Sequence, residues 1–519
     1  MGAVARACGV FAPGHLGELT AVVPVELVDA VLAEHGGRQR RLRALPSRVG
    51  VYFVLAMCLF PEVGYLLVWD KLAGALGAAG PARPCAKALR DLRRRVGAAP
   101  LRALFQVLAG PVAQPATPGV CFGPYRTVSF DGCSSFKAPD SVRNRGWLGK
   151  QRPEDGYPML ALMTLVETGT RALIGAVFGP RTAGEGAYAA RLLHLLRADM
   201  LVLWDQGLDG NAFLAQIAAS GAQLLGRMRA QRTPPVLARL ADGSYLSQVA
   251  GVPVRIIEAA ITVGCADGTR FTGDYRLVTT LTDHRRYSAA ALVRLYHERW
   301  EHESAYYALR HTLAQGRILR SQDPAGIEQE MWALLTVYQL LRTVMCDAVE
   351  STGGTDPDRA CFTIAYQAAR DEVIRGRTGT GAPVGDIGRR VLRHLLPARR
   401  PRVSARTVKV GNSRYQAHKH RPDPRPRTSQ RITALHITVH QPATPTPPPP
   451  LPATPRPPPG STASWTCYAT NPTAPTPHVR SPNTSTRPTS TACASNSPNT
   501  PRTESCTKPH PPPTPSTNP

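Results

Sequence analysis

Residues 125–132 read YRTVSFDG and residues 199–207 read DMLVLWDQG. Each is an apolar, β-prone run that reaches an aspartate, Asp131 or Asp205, with a turn-permitting glycine close behind. Both are expected as strands of one sheet with the acid at the C-terminal end, where α/β sheets place their sites. Between them, MLALMTLVETG and TRALIGAVFG form two Val/Leu/Ile-rich runs, and GAYAARLLHLL has a helical pattern. Strand, strand, strand, helix, strand predicts a mixed α/β sheet. A third acid, Glu303, lies in YHERWEHESAYYALR (296–310), where residues 296, 299, 303, 307 and 310 share one helical face through spacings of three and four. Taken singly, Asp131 reads as an ordinary strand-end turn, and Glu303 as part of a solvated salt-bridge helix. Together, two strand-end carboxylates and one helical carboxylate suit a pair of divalent cations and phosphoryl transfer. Tyr296, Trp300 and Arg299 on the same segment also offer stacking and phosphate contacts to a displaced nucleotide.

Upstream, residues 16 to 110 are helical in pattern: LGELTAVVPVELVDAVLAEHG, VYFVLAMCLFP, KALRDLRRRVG and LRALFQVLAG. They predict a small bundle whose basic runs, Arg38 to Arg43 and Arg90 to Arg95, are either solvated faces or DNA contacts. The Pro-rich PVAQPATPG (111–119) marks a boundary. Downstream, residues 229 to about 288 are β-rich with turn signals and read as a strand insertion, after which helices resume to about residue 375. From Arg389 to Arg431 the only acid is Asp423, which predicts a basic, DNA-facing stretch. Residues 441–519 hold nearly half of the chain's 50 prolines and only one acid, Glu504. A stretch that poor in apolar surface is expected to be disordered, and two origins stand open for it, docking motifs and a read-through extension.

Composition bounds the function. The 519 residues exceed one core, 43% hydrophobic content is enough for several, and a net charge of +26 favours a polyanionic partner. No apolar run is long enough for a membrane span, so no membrane partner is expected. Eleven cysteines with no CxxC pair argue for reduced thiols and against zinc.

With these residues in view, the chain resembles DDE-type transposases of the bacterial insertion element 4 family. Tyr296-x2-Arg299-x3-Glu303-x6-Arg310 is similar to the family's Tyr-Arg-Glu-Lys signature, with Arg in place of the final Lys. DGCSSFKAPDSVRN around Asp131, and LVLWDQGL around Asp205, resemble the segments of the first and second catalytic acids. The resemblance covers roughly residues 10–440. It implies an α/β, ribonuclease-H-like catalytic core (120–400) with a β-rich insertion, preceded by a helical N-terminal domain (1–112) that binds the element's ends. A basic stretch (389–440) and the disordered Pro/Thr/Ser-rich tail follow. Asp131, Asp205 and Glu303 would be the metal ligands for two Mg²⁺ ions, with Mn²⁺ substituting. Tyr296, Trp300, Arg299 and Arg310 would contact the transposon end, and Arg399, Arg400, Arg402 and Arg406 the phosphates. The implied partners are double-stranded DNA, as terminal inverted repeats and target, and a second copy of the chain in a dimer formed on DNA. The implied setting is the bacterial cytoplasm, with association to the nucleoid. Gln206 and Leu208 depart from the family's basic and aromatic residues, and Arg310 from its Lys. Those departures keep a competing expectation alive, a decayed or repurposed DNA-binding protein that turns nothing over.

Overall fold

A computed structural model describes residues 15–37, 45–75, 83–149, 156–376, 384–398, 403–404, 429–430 and 432–440. Helices α1 (Val25–Glu34), α2 (Ser47–Leu59), α3 (Tyr65–Ala73), α4 (Ala86–Val96) and α5 (Ala99–Leu108) come first. The run that forms α2, SRVGVYFVLAMCL, is apolar on every side and so must be covered on every side. The first helices do not do this alone. Helices α11 (Pro324–Glu350), α12 (Phe362–Arg375) and α13 (Asp386–Arg393) join them in one apolar core. The Tyr366 hydroxyl donates to the Leu59 carbonyl at 2.9 Å, and Gln329 Nε2 donates to the carbonyls of Arg93 (2.9 Å) and Gly97 (2.7 Å). Arg93 itself is buried and pairs with Glu330 at 3.0 Å, whereas its neighbour Arg94 stays exposed. Of the second basic run, then, Arg93 is a structural cation. Arg38 to Arg43 lie outside the described residues.

The sheet follows. Strands β1 (Cys121–Phe122), β2 (Tyr125–Lys137), β3 (Met159–Glu167) and β4 (Leu173–Pro180) run antiparallel, with α6 (Val142–Leu148) between β2 and β3. After α7 (Glu185–Ala190), β5 (Met200–Trp204) pairs parallel with β2. Beyond α8 (Asn211–Ala219), β6 (Gln223–Arg227) pairs parallel with β5. The β-rich segment continues this same sheet through β7 (Ala238–Arg239), β8 (Tyr245–Val249), β9 (Val252–Cys265) and β10 (Arg270–Thr279). In it β10 pairs with β6 and β9 with β10. The order is β4-β3-β2-β5-β6-β10-β9-β8-β7, a large mixed sheet as the alternating runs predict.

Alternation along the strands divides the two faces. Val128, Phe130, Val202, Trp204 and Leu224 pack under α7 and α8. Leu201, Leu203, Leu225 and Leu277 pack under α9 (Ala289–His297). Gly226 stands directly opposite Trp204, and a Cβ there would lie 2.0 Å from the indole, so only glycine lets the Trp204 ring cross β6.

Two elements differ from expectation. Asp131 does not end its strand, because β2 runs on to Lys137, paired with β3, with a register shift between Cys133 and Phe136. Directly after the 389–431 stretch expected to face DNA, the chain adds a strand that was not expected. After a short ladder of β11 (Val403–Ser404) and β12 (Ser429–Gln430), β13 (Ile432–Val439) pairs with β9 and turns Leu435, Ile437 and Val439 toward the core. The 441–519 tail lies outside the described residues.

A chain ending after His440 keeps β13 and is expected to melt with the full-length protein. Ending after Gln430 uncovers Ala259 to Cys265 of β9. That should cost about 3 kcal/mol of half-buried apolar contact and promote aggregation through the freed edge. Thermal melts with light scattering on the two truncations check this, and equal midpoints would rule it out.

Candidate active site

The parallel register pairs Ser129 of β2 with Leu203 of β5. Two residues further on, Asp131 continues β2 while Asp205 follows the end of β5, the same two residues past the last β2–β5 pair. Asp131 is nearly buried, and its Oδ1 accepts from the Gly132 backbone N–H at 2.9 Å. Asp205 follows the last residue of β5, and its Oδ1 caps the turn Gln206–Leu208 by accepting from Gly207 N–H at 2.8 Å.

The segment carrying Glu303 is not one regular helix. Helix α9 gives way to a 3₁₀ turn, Glu298–Trp300, then to α10 (Glu301–Tyr307), then to a π turn, Ala308–Leu313. The expected single face is therefore broken, and π turns of this kind are frequent at functional sites. Tyr296 and Arg299 point inward, Glu303 and Arg310 are half-buried, and Tyr307 is exposed. In this conformation neither Tyr296 nor Arg299 offers a surface to DNA. The Tyr296 hydroxyl donates to the Trp204 carbonyl at 3.1 Å, and its ring meets Tyr275 edge-on. The side chain of Trp300, and Arg399, Arg400, Arg402 and Arg406, lie outside the described residues.

Arg299 faces Asp131 and lies within electrostatic reach of Asp205 and Glu303. Its guanidinium lies 3.9 Å from Asp131 Oδ2. Burial works against its charge, but Tyr296, Asp131, Asp205 and Glu303 together hold its pKa above the ordinary value. Burial pushes the Asp131 carboxyl up to about 7; Arg299 opposes the rise, while Asp205 and Glu303 add to it. The three predicted acids are thus within electrostatic reach of one another. They are not in coordination distance: among the described residues no three His, Cys, Asp or Glu side chains stand close enough to hold a metal ion as they are. The donor set, carboxylate oxygens only, is nonetheless that of a hard divalent cation, with Arg299 supplying positive charge among them.

Sequence reading missed three neighbours. Glu185, at the start of α7, lies against Gly132 and Gly207: a Cβ on Gly132 would be 2.9 Å from its Oε1, and one on Gly207 3.5 Å from its Oε2. His302 is fully buried, bonded through its two ring nitrogens to Ser129 and Thr164, and the Tyr306 hydroxyl donates to the Asp131 carbonyl at 2.6 Å. The signal available was the interleaving of His and Tyr with acids in EHESAY, which the charge pattern obscured. Leu208, a departure from the family pattern, is buried in the sheet core, and the Gln206 carbonyl accepts from Arg229 Nε at 3.1 Å.

Residues 13–106 match the family described as insertion element 4 transposase N-terminal, and residues 124–340, which contain all three acids, match the transposase DDE domain. The chain belongs to the insertion element 4 family of DDE transposases. It is 25% identical over 409 residues to "Transposase InsG for insertion sequence element IS4" of Escherichia coli (strain K12), an alignment covering 75% of this chain and 91% of that one. To "Putative transposase InsZ" of the same organism it is 24% identical over 188 residues, covering 36% and 61%. Among solved structures, the cryo-EM synaptic complex of piggyBac transposase with hairpin DNA covers 73% of this chain and 83% of that one, with a TM-score of 0.35 and 10% identity. As a family member the chain is an insertion-sequence transposase, an enzyme that cleaves DNA and transfers strands. No helix among the described residues is long and apolar enough to cross a membrane.

Proposed function

We propose that this transposase works by cut-and-paste, using Asp131, Asp205 and Glu303 as the ligands of two Mg²⁺ ions, for which Mn²⁺ substitutes. What supports the reading is that Asp131 on β2, Asp205 just past β5 and Glu303 on α10 all lie within electrostatic reach of Arg299. Bound there, the cations supply Lewis-acid activation of water and then of the freed 3′-hydroxyl, and offset charge on the phosphoryl oxygens. The protein's own part is positioning, because phosphoryl transfer leaves little covalent work to side chains. On this reading β2 and the end of β5, paired in parallel, carry the two aspartates, and Arg299 offsets part of the acids' charge. The core is read as ribonuclease-H-like, with the strands of 229–288 as its insertion.

Arg310, half-exposed on the π turn, is assigned a phosphate of the transposon end. Tyr296 and Arg299 would reach DNA only if α9 and the 3₁₀ turn shift on binding. Residues 1–112 are assigned to recognition of the terminal repeats. Arg399, Arg400, Arg402 and Arg406 are assigned sequence-independent phosphate contacts. Two copies would pair the two ends, in the cytoplasm at the nucleoid. The test is incubation of the purified full-length chain with Mg²⁺ and a duplex carrying the inverted repeat that brackets its gene. New 3′-hydroxyl ends and their joining to a second duplex are expected. Binding without either product would instead establish a non-catalytic DNA-binding protein.

A further inference from the structure

A buried chain of hydrogen bonds runs beneath the three acids. Ser129 lies two residues before Asp131 on the same side of β2, and Thr164 of β3 is the cross-strand partner of Asp131 itself. His302, directly before Glu303, bridges these two strands. Its Nδ1 is 2.7 Å from Ser129 Oγ and its Nε2 is 2.7 Å from Thr164 Oγ1. One turn on, the Tyr306 hydroxyl is 3.0 Å from Thr164 Oγ1 and 2.6 Å from the Asp131 carbonyl.

A carbonyl only accepts, so the single Tyr306 proton goes to Asp131 and Thr164 donates to Tyr306. Both ring nitrogens of His302 are engaged, one with each strand.

We propose that His302 is a positioning residue that fixes Glu303 relative to Asp131 by fastening α10 to β2 and β3 at the level of the acids. The inference rests on the reading of Asp131, Asp205 and Glu303 as metal ligands. His302 touches neither metal nor DNA. It acts through the spacing of the ligands, as outer-shell partners of metal sites do, and such partners are worth about 10–100-fold in metal affinity or activity.

The experiment is Mn²⁺ binding to the full-length chain by calorimetry, beside Mn²⁺-dependent cleavage, thermal melting and metal-free binding to the repeat duplex. His302→Leu, which keeps apolar bulk but removes both bonds, is expected to weaken Mn²⁺ binding about 10-fold or more and to slow cleavage by a similar or larger factor. Its metal-free DNA binding should match wild type. His302→Gln, whose amide restores a hydrogen-bonding group toward the two strands, should recover most of the loss. Mn²⁺ affinity and cleavage both unchanged in His302→Leu overturn the proposal. If His302→Leu does not fold, Thr164→Val decides: weaker Mn²⁺ binding supports the inference, and unaltered binding overturns it. Undiminished Mn²⁺ binding in Asp205→Ala would instead overturn the ligand assignment and take this inference with it.

Discussion

Asp131→Asn is expected to abolish metal-dependent cleavage and, in the same protein, to raise the stability of the metal-free fold at pH 8. The two effects have one cause. Burial holds the Asp131 carboxyl at about 7, above its ordinary value of 3.8, despite Arg299 nearby. A folded-state value above the unfolded one means that the native protein keeps a proton that the unfolded chain releases. Native stability therefore falls as pH rises from about 4 to about 7, by up to about 1.4 kcal/mol per pH unit, and the cost is fully present above that. Asparagine carries no charge and escapes it. The variant should match wild type near pH 4, and at pH 8 in EDTA it should be more stable by a few kcal/mol. Cleavage should fall by about 10³-fold or more, since several kcal/mol of transition-state charge stabilisation goes with the metal. Adding Mg²⁺ should raise the wild-type melting point at pH 8 and leave that of Asp131→Asn in place. Urea melts at pH 4 and pH 8, with a nicking assay alongside, decide the matter. A variant less stable than wild type at pH 8 would show that Asp131 is held by Arg299 rather than strained by burial.

The sheet was legible because strand signals are local. VSFD and LVLW each pair with a neighbour of the same texture, and their alternation already says which residues share a face. The end of β2 was not legible. Gly132 reads as a turn, and only pairing with β3, which begins more than twenty residues later, keeps the strand going. The family of the active-site helix was legible from its four-residue signature, but its geometry was not. A constant 3.6-residue period places residues 296 to 310 on one face. In the fold, the bonds of His302 and Tyr306 to two strands accompany a 3₁₀ turn before α10 and a π turn after it. Charge was the least legible property. Arg93 and Arg94 are indistinguishable in sequence, and what separates them is Glu330, which meets only Arg93. β13 was hidden for a related reason: its alternation is clear, but its partner, β9, lies far upstream and the run before it is basic.

Arg171→Ala is expected to produce the largest loss of stability in the chain, about 3–5 kcal/mol. Arg171 closes the turn between β3 and β4 with a left-handed backbone, φ 64°, which a non-glycine residue adopts only where its surroundings compel it. What compels it is a buried guanidinium held by two carboxylates. Its Nε donates to Glu301 Oε2 at 2.7 Å, its other arm pairs with Glu301 and Asp358, and its carbonyl accepts from the Tyr338 hydroxyl at 2.7 Å. The sheet, the helix that carries Glu303 and the helical layer are joined at this one side chain. Removing it leaves Glu301 and Asp358 buried without their guanidinium, the situation in which breaking an internal ion pair is most costly. Lysine restores charge but not the fork that reaches both acids, so Arg171→Lys should recover only part of the loss. Neutralising the acids at the same time, with Arg171→Met, Glu301→Gln and Asp358→Asn combined, should recover most of the stability, because the desolvated charges go together. Cleavage should not return with it, since Glu301 sets the start of α10 two residues before Glu303. Urea midpoints for the three proteins, read beside the cleavage assay, separate the two contributions. A triple variant as unstable as Arg171→Ala would mean that the strained turn, and not the buried charge, is what Arg171 maintains.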